Sequence, residues 1–155
     1  MIRILLVCTG NTCRSPMAEA LLRRELEARG LEDVVVESAG TGAWEGVPAS
    51  EGSYLVALEH GLDLSAHRSR LLTREMVEGA TLILTMGRSH VARAEALGGT
   101  GRTTLLGEFA GREGPSAEVR DPFGGDLEQY RTAFRELASL LAAAAERLAE
   151  GRRAR

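Results

Sequence analysis

Residues 2–17 read IRILLVCTGNTCRSPM, and the change of pattern within them decides the fold. Ile2 to Val7 is aliphatic and β-branched apart from Arg3, the signature of a buried strand. The run stops at a turn containing Gly10, and a helix is expected at once. Ser15 is a good N-cap, Pro16 fits the first helical position, and Met17, Leu21, Leu22 and Leu26 give an apolar side before Gly30 ends it.

The same alternation continues outward from this unit. Val34 to Glu37 reads as a second strand, followed by the glycine-rich loop SAGTGAWEG at 38–46. Gly40, Gly42 and Gly46 nearly match a dinucleotide fingerprint, but the third glycine comes one place late and no helix opens behind it. Ser50 to His60 and Thr73 to Glu78 read as helices, TLILTM at 81–86 as the third strand, and Ser89 to Leu97 as a helix. TTLL at 103–106 is the fourth strand, and Gly107 to Phe123 reads as a long loop of the kind that is more often functional than idle. Strands alternating with helices imply an α/β fold on a parallel sheet. No linker or repeat divides the chain, so a single domain is expected over 1–150, with a frayed basic tail at 151–155.

The last helix is expected from Asp126 to Glu150. Leu127, Tyr130, Phe134, Leu137, Leu141, Ala144 and Leu148 recur there with heptad spacing. Such a stripe serves a coiled-coil dimer or one long helix packed on a sheet, and the α/β pattern favours the second reading and a monomer.

Composition narrows the function. With 44% hydrophobic and 26% charged residues the 155-residue chain is an ordinary globular domain. A net charge of −3 argues against a nucleic-acid footprint. All 19 basic residues are arginine, which excludes a Walker-A lysine and a Schiff-base lysine. No span approaches the roughly 18 apolar residues of a membrane helix, and Ile4 to Val7 is too short for a signal-peptide core, so a cytoplasmic setting is expected. In a reducing compartment two cysteines are more plausibly catalytic or redox-active than a structural staple.

Both cysteines, Cys8 and Cys13, and the only asparagine, Asn11, fall within one six-residue span between strand and helix. A loop wrapped at a helix N-terminus turns its backbone N–H groups into one concavity under the positive end of the helix dipole, which suits phosphate. Gly10 allows close approach, and Asn11 tolerates left-handed backbone angles, so the loop can curl into an anion nest. Cys8 stands at the start of that nest, where the helix field and a nearby arginine favour its thiolate. Arg14 offers a planar fork for two phosphate oxygens. Attack of the thiolate on phosphorus would form a phosphocysteine that water then hydrolyses. The leaving group needs an acid, and Asp121 in DPFGGD, on the long loop, is the best candidate.

CTGNTCRSP near the N-terminus, SAGTGAW after the second strand and DPFGG before the last helix together resemble the low-molecular-weight protein tyrosine phosphatases over essentially the whole chain. The resemblance implies a four-stranded parallel sheet of flavodoxin-like order with helices on both faces, no metal or other cofactor, and Cys8, Arg14 and Asp121 as the catalytic residues. It implies that Thr9, Gly10, Asn11, Thr12, Cys13 and Ser15 contact substrate, that Trp44 and Phe123 flank it, and that Asn11, Ser15 and Ser38 form a network supporting the loop. The partners implied are phosphorylated proteins, with inorganic phosphate as product. Thr12 and DPFGG look like the branch that dephosphorylates protein arginine, whereas Trp44 is similar to the aromatic wall of the tyrosine-specific members. A phenol and a guanidinium are both flat and both stack on aromatics, so both substrates stay open.

An arsenate reductase of this fold would need cysteines after Cys13, and none follows. A non-catalytic phosphate-binding module would not need Cys8 or Asp121. Cys13 is either buried packing or a redox partner that captures an oxidised Cys8. His60, His67 and His90 lack zinc-ligand spacing; His67 is expected at a turn, Arg68 and Arg70 as solvated or structural, and Tyr54 and Tyr130 as core or surface residues.

Overall fold

A computed structural model describes residues 1–154. Four strands, β1 (Ile2–Cys8), β2 (Val34–Gly40), β3 (Leu82–Thr85) and β4 (Thr103–Leu105), form one sheet in the order β2-β1-β3-β4, with every pairing parallel. The helices are α1 (Arg14–Ala28), α2 (Glu51–Glu59), α3 (Arg74–Gly79), α4 (Arg88–Ala94), α5 (Leu106–Phe109) and α6 (Leu127–Arg153). β1 is central, and its apolar run is buried on both faces. Ile4, Leu6 and Cys8 join the core built with α1, α2 and α6, while Leu5 and Val7 join the one built with α3 and α4. The result is the expected three-layer α/β/α arrangement. A one-residue slip of β1 would move Cys8 to the wrong face, so packing fixes the position of the nucleophile candidate.

Neighbours of β1 lie on opposite sides in sequence order, β2 on one edge and β3 on the other, so the crossovers diverge at its carboxyl end. That divergence opens the crevice where doubly wound sheets bind ligands, and Cys8 is the last residue of β1.

Several expected boundaries change. Helix α1 begins at Arg14 with Cys13 in the cap position and no side-chain cap bond, so Ser15 is not the N-cap. Its hydroxyl is instead turned toward Cys8 and Asn11. β2 runs on to Gly40, absorbing the start of the glycine-rich loop. The expected loop 107–123 holds part of α5 and a 3-10 turn at Gly114–Ala117. Tyr130, Phe134, Leu137, Leu141 and Ala144 are all buried in the core, so the heptad stripe of α6 is intramolecular packing. Helix α6 is capped by Asp126, whose carboxylate accepts from the Gln129 N–H at 3.0 Å while Gln129 Oε1 accepts from the Asp126 N–H at 2.8 Å. At its other end it continues through Arg153 rather than fraying from 151, and Arg152 pairs with Asp33 at 2.5 Å. The final residue of the expected tail, Arg155, lies outside the described residues.

Candidate active site

The segment from Cys8 to Ser15 connects β1 to α1, and its outward carbonyls are tied to the surrounding chain. The Thr41 N–H donates to Cys8 O at 3.0 Å, the Gly42 N–H to Thr9 O at 2.9 Å and the Ser50 N–H to Thr12 O at 2.9 Å. Carbonyls held outward leave the loop's own N–H groups for the concavity. Gly40 makes this close packing possible, because a Cβ there would lie 2.4 Å from Thr9 O and 2.9 Å from Asn11 N.

Asn11 is the hinge of the curl. Its φ is 56°, the single non-glycine residue with a positive φ among the described residues, and it is completely buried. Every polar group of its side chain is used. Nδ2 donates to Ser15 Oγ at 2.7 Å and to Ser38 Oγ at 3.0 Å, and Oδ1 accepts from the Arg70 N–H at 2.8 Å. Its carbonyl accepts from His67 Nε2 at 2.6 Å. The expected network of Asn11, Ser15 and Ser38 is therefore assembled, and it is larger than the sequence reading gave. His67 is not a mere turn residue, and Arg70 is structural as expected, with its guanidinium on Ser38 O and Glu37.

Cys8 Sγ lies 3.0 Å from Ser15 Oγ and 3.3 Å from the Asn11 N–H, and the residue is 2% exposed. Since Ser15 Oγ already accepts from Asn11, its own proton is free to point at the sulfur. Arg14 is buried as well. Its Nη1 donates to Val119 O at 2.9 Å, its Nη2 stands 3.6 Å from Asp121 Oδ2, and its Nε is buried with no partner. An unpaired guanidinium N–H in the interior is costly unless an anion meets it. Asp121 is half exposed and turned inward by the Phe123 N–H, which donates to Oδ1 at 3.0 Å.

These groups line a cavity of about 360 Å³. Cys8, Thr9, Gly10, Thr12, Cys13 and Arg14 form its floor and sides, and Asp121, Trp44 and Phe123 stand around its mouth. Trp44 and Phe123 are well exposed, so two flat apolar faces are offered to whatever enters. Of the residues expected from sequence to act on substrate, Asn11 and Ser15 are fully buried and do not line this space, while all the others face it. Ser38 lies outside it and acts through Asn11. Cys13 is buried, with its sulfur 3.3 Å from Ser50 Oγ and 3.6 Å from the Tyr130 hydroxyl. Burial and the neighbouring Cys13 push the Tyr130 phenol up from its ordinary pKa.

A residue that sequence reading missed sits behind Thr9. His90, 3% exposed, places Nε2 2.9 Å from Thr9 Oγ1, while the Gly87 N–H donates to Nδ1 at 3.0 Å. Burial first and the positive Arg14 second lower its pKa from 6.5 to about 4. Nothing in the SHVAR context signals this, because the partner is 81 residues away. Behind the loop a larger cavity of about 420 Å³ is lined by residues including Arg23, Glu37, His67 and Arg70. Two of its arginines are paired, Arg23 with Glu19 at 2.7 Å and Arg70 with Glu37 at 3.1 Å, and no cysteine lines it. No grouping of three metal-ligating side chains occurs among the described residues.

A buried thiol in an anion-shaped loop, an arginine fork and a carboxylate across one cavity define a phosphate-handling cysteine enzyme. Residues 3–154 match the low molecular weight phosphotyrosine protein phosphatase family, and the chain belongs to it. It is similar to a protein-arginine-phosphatase of Geobacillus stearothermophilus, at 43% identity over 150 residues that cover 94% of this chain and 95% of that protein. It is 36% identical over 133 residues to the Escherichia coli low molecular weight protein-tyrosine-phosphatase Etp, covering 84% of each. Among solved structures, one of the YwlE arginine phosphatase, a cysteine-to-serine mutant with a phosphorylated active-site serine, superposes with a TM-score of 0.91 at 38% identity, covering 99% of this chain and all of that one. The protein is a phosphatase, and phosphorylated proteins are its substrate class.

Proposed function

We propose that the protein hydrolyses phosphoarginine on proteins, and phosphotyrosine less readily, through a phosphocysteine formed on Cys8. The observation that carries the first preference is Thr12 on the wall of the cavity. A guanidinium presents N–H donors along its edge and needs an acceptor beside it, which a threonine hydroxyl supplies and an aliphatic side chain does not. The similarity to the Geobacillus protein-arginine-phosphatase supports the same reading. Phosphotyrosine is the second reading, supported by the exposed Trp44 and Phe123 faces, which suit a phenol ring.

In this scheme phosphate enters the nest, its oxygens meeting the loop N–H groups, with Arg14 Nε and Nη2 as the bidentate fork. The Cys8 thiolate attacks phosphorus as the bond to the leaving atom breaks, and Asp121 gives that atom its proton. Asp121 then takes a proton from water as the water attacks the phosphocysteine, and inorganic phosphate leaves with thiolate restored. Asn11, Ser15 and Ser38 hold the loop in its reactive curl. The phosphorylated serine of the related cysteine-to-serine mutant supports a covalent intermediate at the corresponding position. Cys13 is proposed as the redox partner of Cys8, and the two free cysteines suit a reducing, cytoplasmic setting.

The test is kcat/KM on matched phosphoarginine and phosphotyrosine peptides, with Cys8→Ser as the blank. A phosphoarginine preference that Thr12→Ile reduces at least tenfold supports the reading. A phosphotyrosine preference untouched by Thr12→Ile overturns it in favour of the aromatic wall.

A further inference from the structure

The hydrogen bond between Thr9 and His90 has no part in the scheme above, and its donor and acceptor can be assigned. A backbone N–H only donates, so the Gly87 N–H at 3.0 Å makes Nδ1 of His90 an acceptor. A neutral imidazole whose Nδ1 accepts carries its proton on Nε2, so His90 donates to Thr9 Oγ1 across 2.9 Å. A charged ring would turn a second N–H against the Gly87 N–H, which fixes His90 as the neutral form. The Thr9 hydroxyl therefore cannot give its own proton to His90. Thr9 is exposed in the cavity, and no other hydrogen bond engages its hydroxyl among the described residues.

That proton has one direction left, into the cavity. The non-bridging phosphate oxygens are served by the loop N–H groups and by Arg14. Thr9 follows Cys8 in sequence and lines the same cavity as Asp121, whose proposed task is to give the leaving atom its proton. We propose that Thr9 is a further catalytic residue whose hydroxyl donates a hydrogen bond to the leaving atom beside Asp121, and that His90 is the positioning residue that aims it. Accepting from His90 polarises the Thr9 O–H and strengthens it as a donor. No proton is transferred by Thr9: the bond to phosphorus breaks, Asp121 supplies the proton, and Thr9 stabilises the charge that develops before that proton arrives. The inference rests on Asp121 and Cys8 acting as described above.

The experiment measures kcat/KM on aryl phosphates of graded leaving-group pKa, from 4-nitrophenyl phosphate to phenyl phosphate. Thr9→Val is expected to lose about tenfold more kcat/KM on the phenyl ester than on the nitrophenyl ester, the scale of one hydrogen bond. Thr9→Ser, which keeps the hydroxyl, restores the wild-type slope. His90→Phe reproduces the Thr9→Val pattern, and the double variant is no worse than either single one, because both remove the same interaction. Should His90→Phe fail to fold, the Val and Ser pair at position 9 still decides the matter. An equal loss across the series in Thr9→Val, or a Thr9→Ser variant as impaired as Thr9→Val, overturns the inference. Turnover surviving in Cys8→Ser overturns the phosphatase scheme itself, so the two failures are distinct.

Discussion

Acidification tests the neutral His90 directly. The unfolded chain protonates this side chain near pH 6.5, whereas the folded one does so only at about pH 4. Between those values the unfolded state binds more protons, so stability falls as pH drops through this window and is fully present above it. At pH 7 both states are largely neutral and His90 contributes almost nothing to the pH dependence. At pH 5 the unfolded state gains roughly 2 kcal/mol by binding a proton that the native state still refuses. Urea unfolding of wild type and His90→Gln at pH 7 and pH 5 isolates that quantity, since the other titrating groups are common to both chains. Wild type should lose about 2 kcal/mol more than the variant between the two pH values, a midpoint difference on the order of 1 M urea for a domain of this size. The variant is less stable at pH 7, because the Gly87 N–H and Thr9 lose their partner, but its stability changes less with pH. Parallel losses in the two proteins would mean that His90 protonates as readily folded as unfolded, and the assignment of its tautomer would fall.

Other expected outcomes are simpler to state. Asp121→Ala should reduce kcat/KM by about 10²–10⁴-fold on phosphate esters of poor leaving groups and far less on good ones, and a uniform loss would remove Asp121 as the acid. Mild peroxide should inactivate the enzyme and yield a Cys8–Cys13 disulfide by mass spectrometry, reversed by thiol; inactivation without that crosslink would return Cys13 to packing. Gly40→Ala should cost about 1–3 kcal/mol in urea unfolding and lower kcat, because its methyl would lie 2.4 Å from Thr9 O; wild-type stability and rate would show that the loop yields there at no cost.

How much of this was legible beforehand follows from the range of the forces involved. Strand β1, helix α1 and the anion nest between them are local, set by runs and spacings within some thirty residues, and residues 2–30 carry them openly. The cap of α1 misled because Ser15 has two possible uses and the long-range one won: its hydroxyl serves Cys8 and Asn11. Boundary glycines and the basic end of α6 misled for a related reason, since Gly40 pairs with its neighbours in the sheet and Arg152 is anchored by Asp33. His67, Arg70 and His90 reach the loop across 56, 59 and 81 residues, and no periodicity encodes such a contact.

The distribution of unfavourable groups gives the site its physical meaning. Asn11 is held at a positive φ, Arg14 buries a charged N–H without a partner, and Cys8 buries its sulfur against the Ser15 hydroxyl and the Asn11 N–H. Each departs from what a chain selecting for stability alone would adopt, and all three lie within seven residues of one loop. They persist because the surroundings overdetermine them: four polar contacts on Asn11, Val119 O on Arg14, and two sheet-packed cores that fix both ends of the loop. An anion in the cavity answers the first two departures at once, since it meets Arg14 Nε and draws the curled N–H groups together. In the proposed scheme a phosphoryl group would therefore complete a loop whose curl its surroundings already fix, so that little reorganisation is left to the reaction.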